Sequence, residues 1–431
     1  MKFALVNPNW DFKGSTYFGC KDPHVPLELM FAFDQIIAAG GEPMLIDAQT
    51  DNLSLEETRT RLRAFQPHFL IVPTAPSYLF WRCPPPELRV PMEWIEGLRS
   101  RAVAVTIGPH PSATPAATIR KTKCDVTLRG EPDQTIPHLA SRPWREIEGC
   151  CFKTENGIHL NGQLGVTDMK ALRPLDFRNY SVEAHHHRHH VFTHDQGIGA
   201  ELEFARGCPW ACTFCNKTLF RNKFRERDVE TVLQEIDTLI SRGVEYIYFI
   251  DEIFGVGKNV RRLLESIAER QVKIGFQTRI DLWNEETLDL LGRAHCISVE
   301  CGIESITEEG RDELNKNCRM DTDRISELLI YARTRIPWVQ ANLILTDKDD
   351  RTRIRAWQER LRTQRVWVSE PVPMFPFPGS PLYVQTFGTP PDDQAWERAH
   401  HFYTNTFADK GYSDIQEATP ECLENLERCA S

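Results

Sequence analysis

No apolar run approaches the about 18 uninterrupted residues that a membrane-crossing helix requires, so the sequence predicts no membrane span. There is no basic excess either. The 51 Lys and Arg stand against 61 Asp and Glu, a net charge of −10, which argues against a duplex nucleic-acid binder with its usual basic face. The N-terminal stretch meets Asn7-Pro8 after one short apolar segment, so it has neither the apolar core nor the small-residue cleavage site of a secretory leader. The 13 cysteines are odd in number and, without an export signal, do not read as a disulfide framework. A reducing, cytoplasmic setting is the expectation. No Gly-x-Gly-x-x-Gly follows the first strand-like run, which excludes the usual dinucleotide fold there.

What is present is an alternation. The 431 residues, 41% apolar and 26% charged, are enough for two or three domains with proper cores. In residues 1–142, apolar runs at 3–6, 44–46, 69–72, 102–107 and 126–128 alternate with helix-like stretches at 27–39, 53–65, 93–99 and 113–121. Near-continuous apolar strands separated by helices predict a doubly wound parallel sheet covered on both faces, with ligands beyond the carboxyl ends of its strands. Residues 143–199 read as a connector with one hairpin around Glu155-Asn-Gly157. The rhythm returns over 200–385, where six strand-like runs predict a partial (β/α)6 TIM-like barrel with its chemistry at the strands' carboxyl ends. Residues 386–431 are expected as a helical tail.

Directly after the first barrel strand stand Cys208, Cys212 and Cys215, spaced Cys-x3-Cys-x2-Cys. Soft thiolates suit both zinc and iron–sulfur. Three of them can hold three irons of a 4Fe–4S cube and leave the fourth iron open to a small molecule. With Phe214 before the last cysteine, this triplet resembles the signature of the radical S-adenosylmethionine (SAM) enzymes. That resemblance implies a 4Fe–4S cluster whose free iron chelates SAM, followed by reductive cleavage to a 5′-deoxyadenosyl radical.

A second set of motifs points further. Asn7-Pro8, Pro26-Leu27, Thr74 to Ser77, Gly108-x-His110 and Gly130-Glu131 fall at strand ends or helix starts of the N-terminal half. Together they resemble the cobalamin-binding domain of cobalamin-dependent radical SAM enzymes, which implies cobalamin contacts from Asn7, Pro8, Thr74, Ser77, Gly108, His110, Gly130 and Glu131. Members that place a histidine under cobalt carry Asp-x-His-x-x-Gly; this chain has Asp22-x-His24-x-x-Leu27. A cobalt without a histidine lower ligand is therefore expected, with His24 as the alternative. In the barrel half the same resemblance assigns SAM contacts to Phe214, to Asp251 and Glu252 (amino group), to Arg279 (carboxylate) and to Ser298, Glu300 and Glu304 (ribose). The segment Phe377-Pro-Gly-Ser-Pro-Leu-Tyr383 is similar to the one that closes the barrel, whereas Asn342 to Asp347 departs from the usual Gly-x-Pro-Gly-Glu. The implied activity is C-methylation of an unactivated carbon in a small-molecule or biosynthetic-intermediate substrate, fed by an external electron donor such as flavodoxin or ferredoxin. Cyclisation or rearrangement without methyl transfer is the enzymatic alternative, and a cobalamin-binding sensor the non-enzymatic one.

Other features have plainer readings. The aromatic, proline-rich stretch 78–86 suits either a flat macrocycle or an ordinary packed loop. The cluster His185 to His190 reads as an exposed linker. Cys301 is either a small buried residue or a hydrogen-atom donor. The arginine-rich run 351–365 has the spacing of an amphipathic helix with a solvated basic face, or a docking site for an acidic electron donor.

Overall fold

Alternate residues of a strand face opposite sides of its sheet, and in the N-terminal half both sides are apolar. The computed structural model describes residues 1–10, 23–77, 84–86, 88–177, 180–182, 197–218 and 221–407. Contacts divide the chain into two units. The first holds Met1–Ser181, Asn216–Arg221 and Pro376–Thr404; the second is built on Val182–Cys215 and Asn222–Phe375.

The first unit runs β1 (Lys2–Asn7), α1 (Leu27–Ala38), β2 (Glu42–Asp47), α2 (Leu55–Phe65), β3 (Phe69–Pro73), α3 (Arg89–Gly97), β4 (Val103–Ile107), α4 (Pro109–Ala113), α5 (Pro115–Thr122), β5 (Val126–Leu128), β6 (Cys150–Thr154) and β7 (Gly157–His159). Strand order is β2-β1-β3-β4-β5-β6-β7. Phe3, Leu5, Ile71 and Val105 enter one core, while Ala4, Val6, Leu70 and Val72 enter the other. Helix α2 starts in a capping box: the Ser54 hydroxyl accepts the Glu57 N–H and the Glu57 carboxylate accepts the Ser54 N–H.

Two expectations needed revision here. The helix-like stretch 113–121 is divided, because Pro115 excludes the helical conformation for Thr114, which sits at φ −135°, ψ 66°. The hairpin at 150–159 is not a free connector: β6 pairs antiparallel with β5 and covers the open edge of the parallel sheet.

The second unit runs β8 (Ile198–Leu202), β9 (Ala205–Arg206), β10 (Arg225–Glu226), α6 (Val229–Ser241), β11 (Val244–Phe249), α7 (Val260–Ile267), β12 (Lys273–Thr278), α8 (Glu285–Arg293), β13 (Cys296–Glu304), α9 (Glu308–Glu313), α10 (Thr322–Arg333), β14 (Trp338–Leu343), α11 (Arg351–Arg362) and β15 (Trp367–Val368). Six parallel strands in the order β15-β14-β13-β12-β11-β8 form the partial barrel. One face of the strands is apolar, with Ile247, Phe249, Phe276, Val299 and Val339 buried. The other face is polar and internally hydrogen-bonded. Tyr246 Oη lies 3.1 Å from Ser298 Oγ, Tyr248 donates to Glu300 at 2.9 Å, Gln277 donates to Glu300 at 3.1 Å, and Gln340 donates to Asn342 at 2.8 Å. Gly275 makes room for the first of these pairs, since a Cβ there would stand 2.1 Å from Tyr246 Oη and 2.2 Å from Ser298 Oγ.

The chain then continues through α12 (Pro381–Phe387) and α13 (Ala395–Phe407). Residues 376–404 were expected as barrel closure and tail, yet their contacts lie with the first unit. Trp396 explains this: its indole N–H donates to Thr114 Oγ1 at 3.1 Å and its ring lies 4.2 Å from that of His110. Arg120 and Lys121 pair with Asp393 and Glu397.

Candidate cluster and cofactor site

Past β8 the chain turns at Gly207 (φ +90°) into the loop that carries Cys208, Cys212 and Cys215, all half-buried. The neck of this loop is closed by β9 pairing with β10, and by the Arg227 N–H donating to the Phe204 carbonyl at 2.9 Å. Asp251, just past β11, accepts the N–H groups of Phe204 (2.8 Å) and Ala205 (2.9 Å), and Glu252 accepts that of Gly207 (2.8 Å). From another side the 314–317 segment braces the tip. The Leu314 carbonyl accepts the Thr213 N–H at 3.0 Å, and Asn315 Nδ2 donates to the Ala211 carbonyl at 2.7 Å. Asn315 and Asn317 both sit at left-handed φ (50° and 52°), a region asparagine tolerates better than most residues.

The thiols suit a cluster. Burial pushes the Cys212 thiol up to about 11; nearby Lys316 opposes this, and the charges of Cys215, Glu304 and Cys208 reinforce it. All three sulfurs therefore feel one another. Among the described residues no three His, Cys, Asp or Glu side chains converge tightly enough to hold one metal ion. A structural zinc needs such convergence, at about 2.3 Å per Zn–S bond, whereas a cube offers each thiolate its own iron.

The other expected SAM residues gather at the carboxyl ends of β11, β12 and β13, already engaged with protein. Burial raises the Asp251 carboxyl well above the ordinary range, against the opposing pull of its bond from Phe204. Arg279 donates twice to Asp281 (Nε–Oδ1 3.0 Å, Nη2–Oδ2 2.6 Å) and once to the Lys316 carbonyl (2.7 Å), and lies 4.3 Å over the Trp210 ring. Glu304, at φ +70°, pairs with Lys316 Nζ at 3.1 Å. Ser298 and Glu300 belong to the polar strand face, and Phe214 is half-buried in the loop. Trp210, Asp281, Asn315 and Lys316 were given no role from sequence; the Asn315-Lys-Asn317 turn signature was the available clue. The segment that departs from Gly-x-Pro-Gly-Glu braces its neighbour instead. Asp349 accepts from Ser305 Oγ (2.9 Å), the Ile306 N–H (3.1 Å) and Thr346 Oγ1 (2.7 Å). Cys301 is fully buried and its thiol is pushed far up by that burial, the state of an apolar packing residue.

In the first unit the strand order reverses between β1 and β3, so the crevice of this sheet lies beyond their carboxyl ends. Asn7 is committed there, donating to Asp47 at 2.8 Å and accepting from Trp10 at 2.9 Å; Pro8 follows it, half-buried. Thr74 donates to the Ile107 carbonyl at 3.1 Å, and Ser77 is buried. Gly108 holds φ +115°, and Ser112 Oγ joins its carbonyl (2.7 Å) to the Gly130 N–H (2.9 Å). Glu131 accepts the Thr167 N–H at 2.8 Å. His110 differs from all of these. It is fully buried, neither ring nitrogen completes a hydrogen bond, and burial pushes its pKa down to about 3 against the nearby Pro85 carbonyl. A neutral imidazole with two unspent nitrogens at this edge fits a polar group of a bound ligand. His24 is buried. Asp22, residues 78–83, His185 to His190, Cys422 and Cys429 lie outside the described residues.

Residues 202–355 match the Radical SAM superfamily profile. The chain belongs to the radical SAM superfamily. It is 24% identical over 341 residues to an anaerobic magnesium-protoporphyrin IX monomethyl ester cyclase of Cereibacter sphaeroides, covering 73% of this chain and 52% of that protein. It is 29% identical over 245 residues to the hopanoid C-3 methylase of Methylococcus capsulatus, covering 54% of this chain and 45% of that one. The chain thus spans about half the length of these two curated relatives. The radical SAM methyltransferase TsrM of Kitasatospora setae, solved with tryptophan and a SAM analogue, superposes with a TM-score of 0.70 at 17% identity over 89% of this chain and 75% of that one. A second TsrM structure, with cobalamin and a [4Fe-4S] cluster bound, gives 0.67 at 18% identity, covering 89% of this chain and 77% of that one. At such identity the likeness establishes the fold: the radical SAM protein described here shares the two-part α/β architecture.

Proposed function

We propose that this radical SAM protein is a cobalamin-dependent C-methyltransferase acting on an unactivated carbon. The observation that carries the reading is the Cys208, Cys212 and Cys215 loop, braced by Asp251, Glu252 and Asn315 so that three thiols are held for a cube while one iron stays open. Bound there, the cluster supplies the electron for SAM cleavage, and cobalamin at the β1/β3 crevice supplies the methyl carrier. The protein's own contribution is placement. Glu300 and Ser298 offer polar contacts from the strand face, Lys316 and Glu304 set the charge beside Cys212, and neutral His110 offers hydrogen bonds to the corrin's polar periphery. Asp251, Glu252 and Arg279 act on SAM through the loop they hold. An external flavodoxin- or ferredoxin-type donor and a cytoplasmic setting complete the reading; no described helix is long and apolar enough to cross a membrane.

The cyclase relative favours radical chemistry without methyl transfer as the second reading. Anaerobically reconstituted protein incubated with methyl-deuterated SAM, reductant, hydroxocobalamin and a candidate substrate separates the two. Deoxyadenosine with S-adenosylhomocysteine and a labelled product supports methyl transfer. Deoxyadenosine alone supports cyclisation or rearrangement, and a protein that never cleaves SAM refutes both.

A further inference from the structure

The segment that follows Cys215, Asn216–Arg221, makes its contacts within the first unit, although the cysteine loop itself belongs to the second. Arg221 is its anchor. The backbone stands at φ +56°, a left-handed conformation that is costly for arginine. The side chain is 1% exposed, with Nε 3.3 Å from Oε1 of Glu131, itself 2% exposed. Glu131 is fixed in turn. Its Oε2 accepts the Thr167 N–H at 2.8 Å, its backbone N–H donates to the Gly165 carbonyl at 2.9 Å, and Thr167 Oγ1 donates to Asp133 at 2.7 Å. The preceding Gly130 (φ +81°) admits no side chain, since a Cβ would stand 2.4 Å from the Gly165 oxygen. Buried ion pairs contribute little net stability compared with apolar packing, but they can fix register.

We propose that the Glu131–Arg221 pair is a positioning device for the cluster: it fixes the chain immediately beyond the third thiol, and Glu131 serves that purpose instead of touching the corrin. The inference rests on the cluster reading above. Neutralising either partner leaves the other charge buried and alone. The chain beyond Cys215 then gives way, and with it the backbone that presents the last thiolate to its iron.

The test uses the full chain with Arg221→Gln, Glu131→Gln, the double variant and Arg221→Lys. Each is reconstituted anaerobically with iron and sulfide, and separately titrated with hydroxocobalamin. The two single variants are expected to lose iron to excess EDTA about tenfold faster than the parent, and the double variant no faster than either, because the partners act as one unit. Arg221→Lys, which keeps the charge, recovers part of the parent's rate. Hydroxocobalamin affinity stays within about twofold of the parent in every case, as it must if neither side chain contacts the corrin. Hydrogen exchange of a peptide covering 212–218 in the metal-free protein, which needs no cluster, rises in Arg221→Gln. Parent-like iron release and exchange overturn the proposal. So does a loss of cobalamin affinity in Glu131→Gln alone, which would make Glu131 a corrin contact. A parent chain that takes up no iron sinks the cluster reading by itself, and the exchange measurement then still decides whether the pair holds the segment.

Discussion

Replacing Arg279 by alanine is the most informative single perturbation, because resemblance and structure assign this residue different work. The resemblance makes it the partner of the SAM carboxylate. In the structure the guanidinium already binds Asp281 in a two-point fork, caps the Lys316 carbonyl and lies over Trp210. Truncation therefore leaves a carboxylate that is 15% exposed without its cation, and a buried carbonyl without its donor. Breaking a buried pair from one side costs about 3–5 kcal/mol. Partial solvent access to Asp281 argues for the lower end, so we expect urea unfolding of the metal-free protein to lose about 3 kcal/mol. Arg279→Lys keeps the charge but loses the fork, and recovers only part of this. The double variant Arg279→Ala/Asp281→Ala should be less destabilised than the sum of its parts. The pH dependence carries a sign. Burial alone would raise the Asp281 pKa, but the hydrogen bond and charge of Arg279 outweigh it and hold the pKa below the ordinary value. The pair thus stabilises above the unfolded value of about 3.9, and its contribution is lost as pH falls through the lowered folded value. The gap between parent and Arg279→Ala must narrow on acidification. A variant with parent-like stability and weakened SAM binding would refute this reasoning and return Arg279 to direct ligand contact.

Three further expectations follow from the same geometry. Cys212→Ala should abolish SAM cleavage and leave an iron content below the four per chain expected of the parent cube, read by iron and sulfide analysis. Gly275→Ala drives a methyl into the Tyr246–Ser298 pair and should lower stability by about 1–3 kcal/mol, measured by denaturant unfolding. The cob(II)alamin form should show no nitrogen superhyperfine splitting from protein in its EPR spectrum; splitting that vanishes in His24→Ala would make His24 the lower ligand.

Much of the fold could be read from the chain. Period-two burial in β1, β3 and β4 and the Ser54–Glu57 cap were visible as patterns, and so were the six barrel strands and the Cys-x3-Cys-x2-Cys loop, because each is local. What escaped was direction. Sequence places Asp251, Glu252 and Arg279 at strand ends but does not say whether a carboxylate meets a ligand or the neighbouring backbone. Here Asp251 and Glu252 hold Phe204, Ala205 and Gly207. The bracing by Asn315 and the docking of Trp396 beside His110 are contacts between positions far apart in the chain, 104 residues for Asn315 and Ala211. No local pattern announces these.

The polar strand face has a thermodynamic consequence of its own. Tyr248, Gln277 and Glu300 satisfy one another before any small molecule arrives. A guest that reaches them must trade contacts rather than add them, so the heat released on mixing should be small even where occupancy is tight. Discrimination, by contrast, should be steep: an analogue missing one donor opposite Glu300 would disrupt the existing pairs and offer nothing in return, a mismatch that rejects near-isosteres far better than shape alone can.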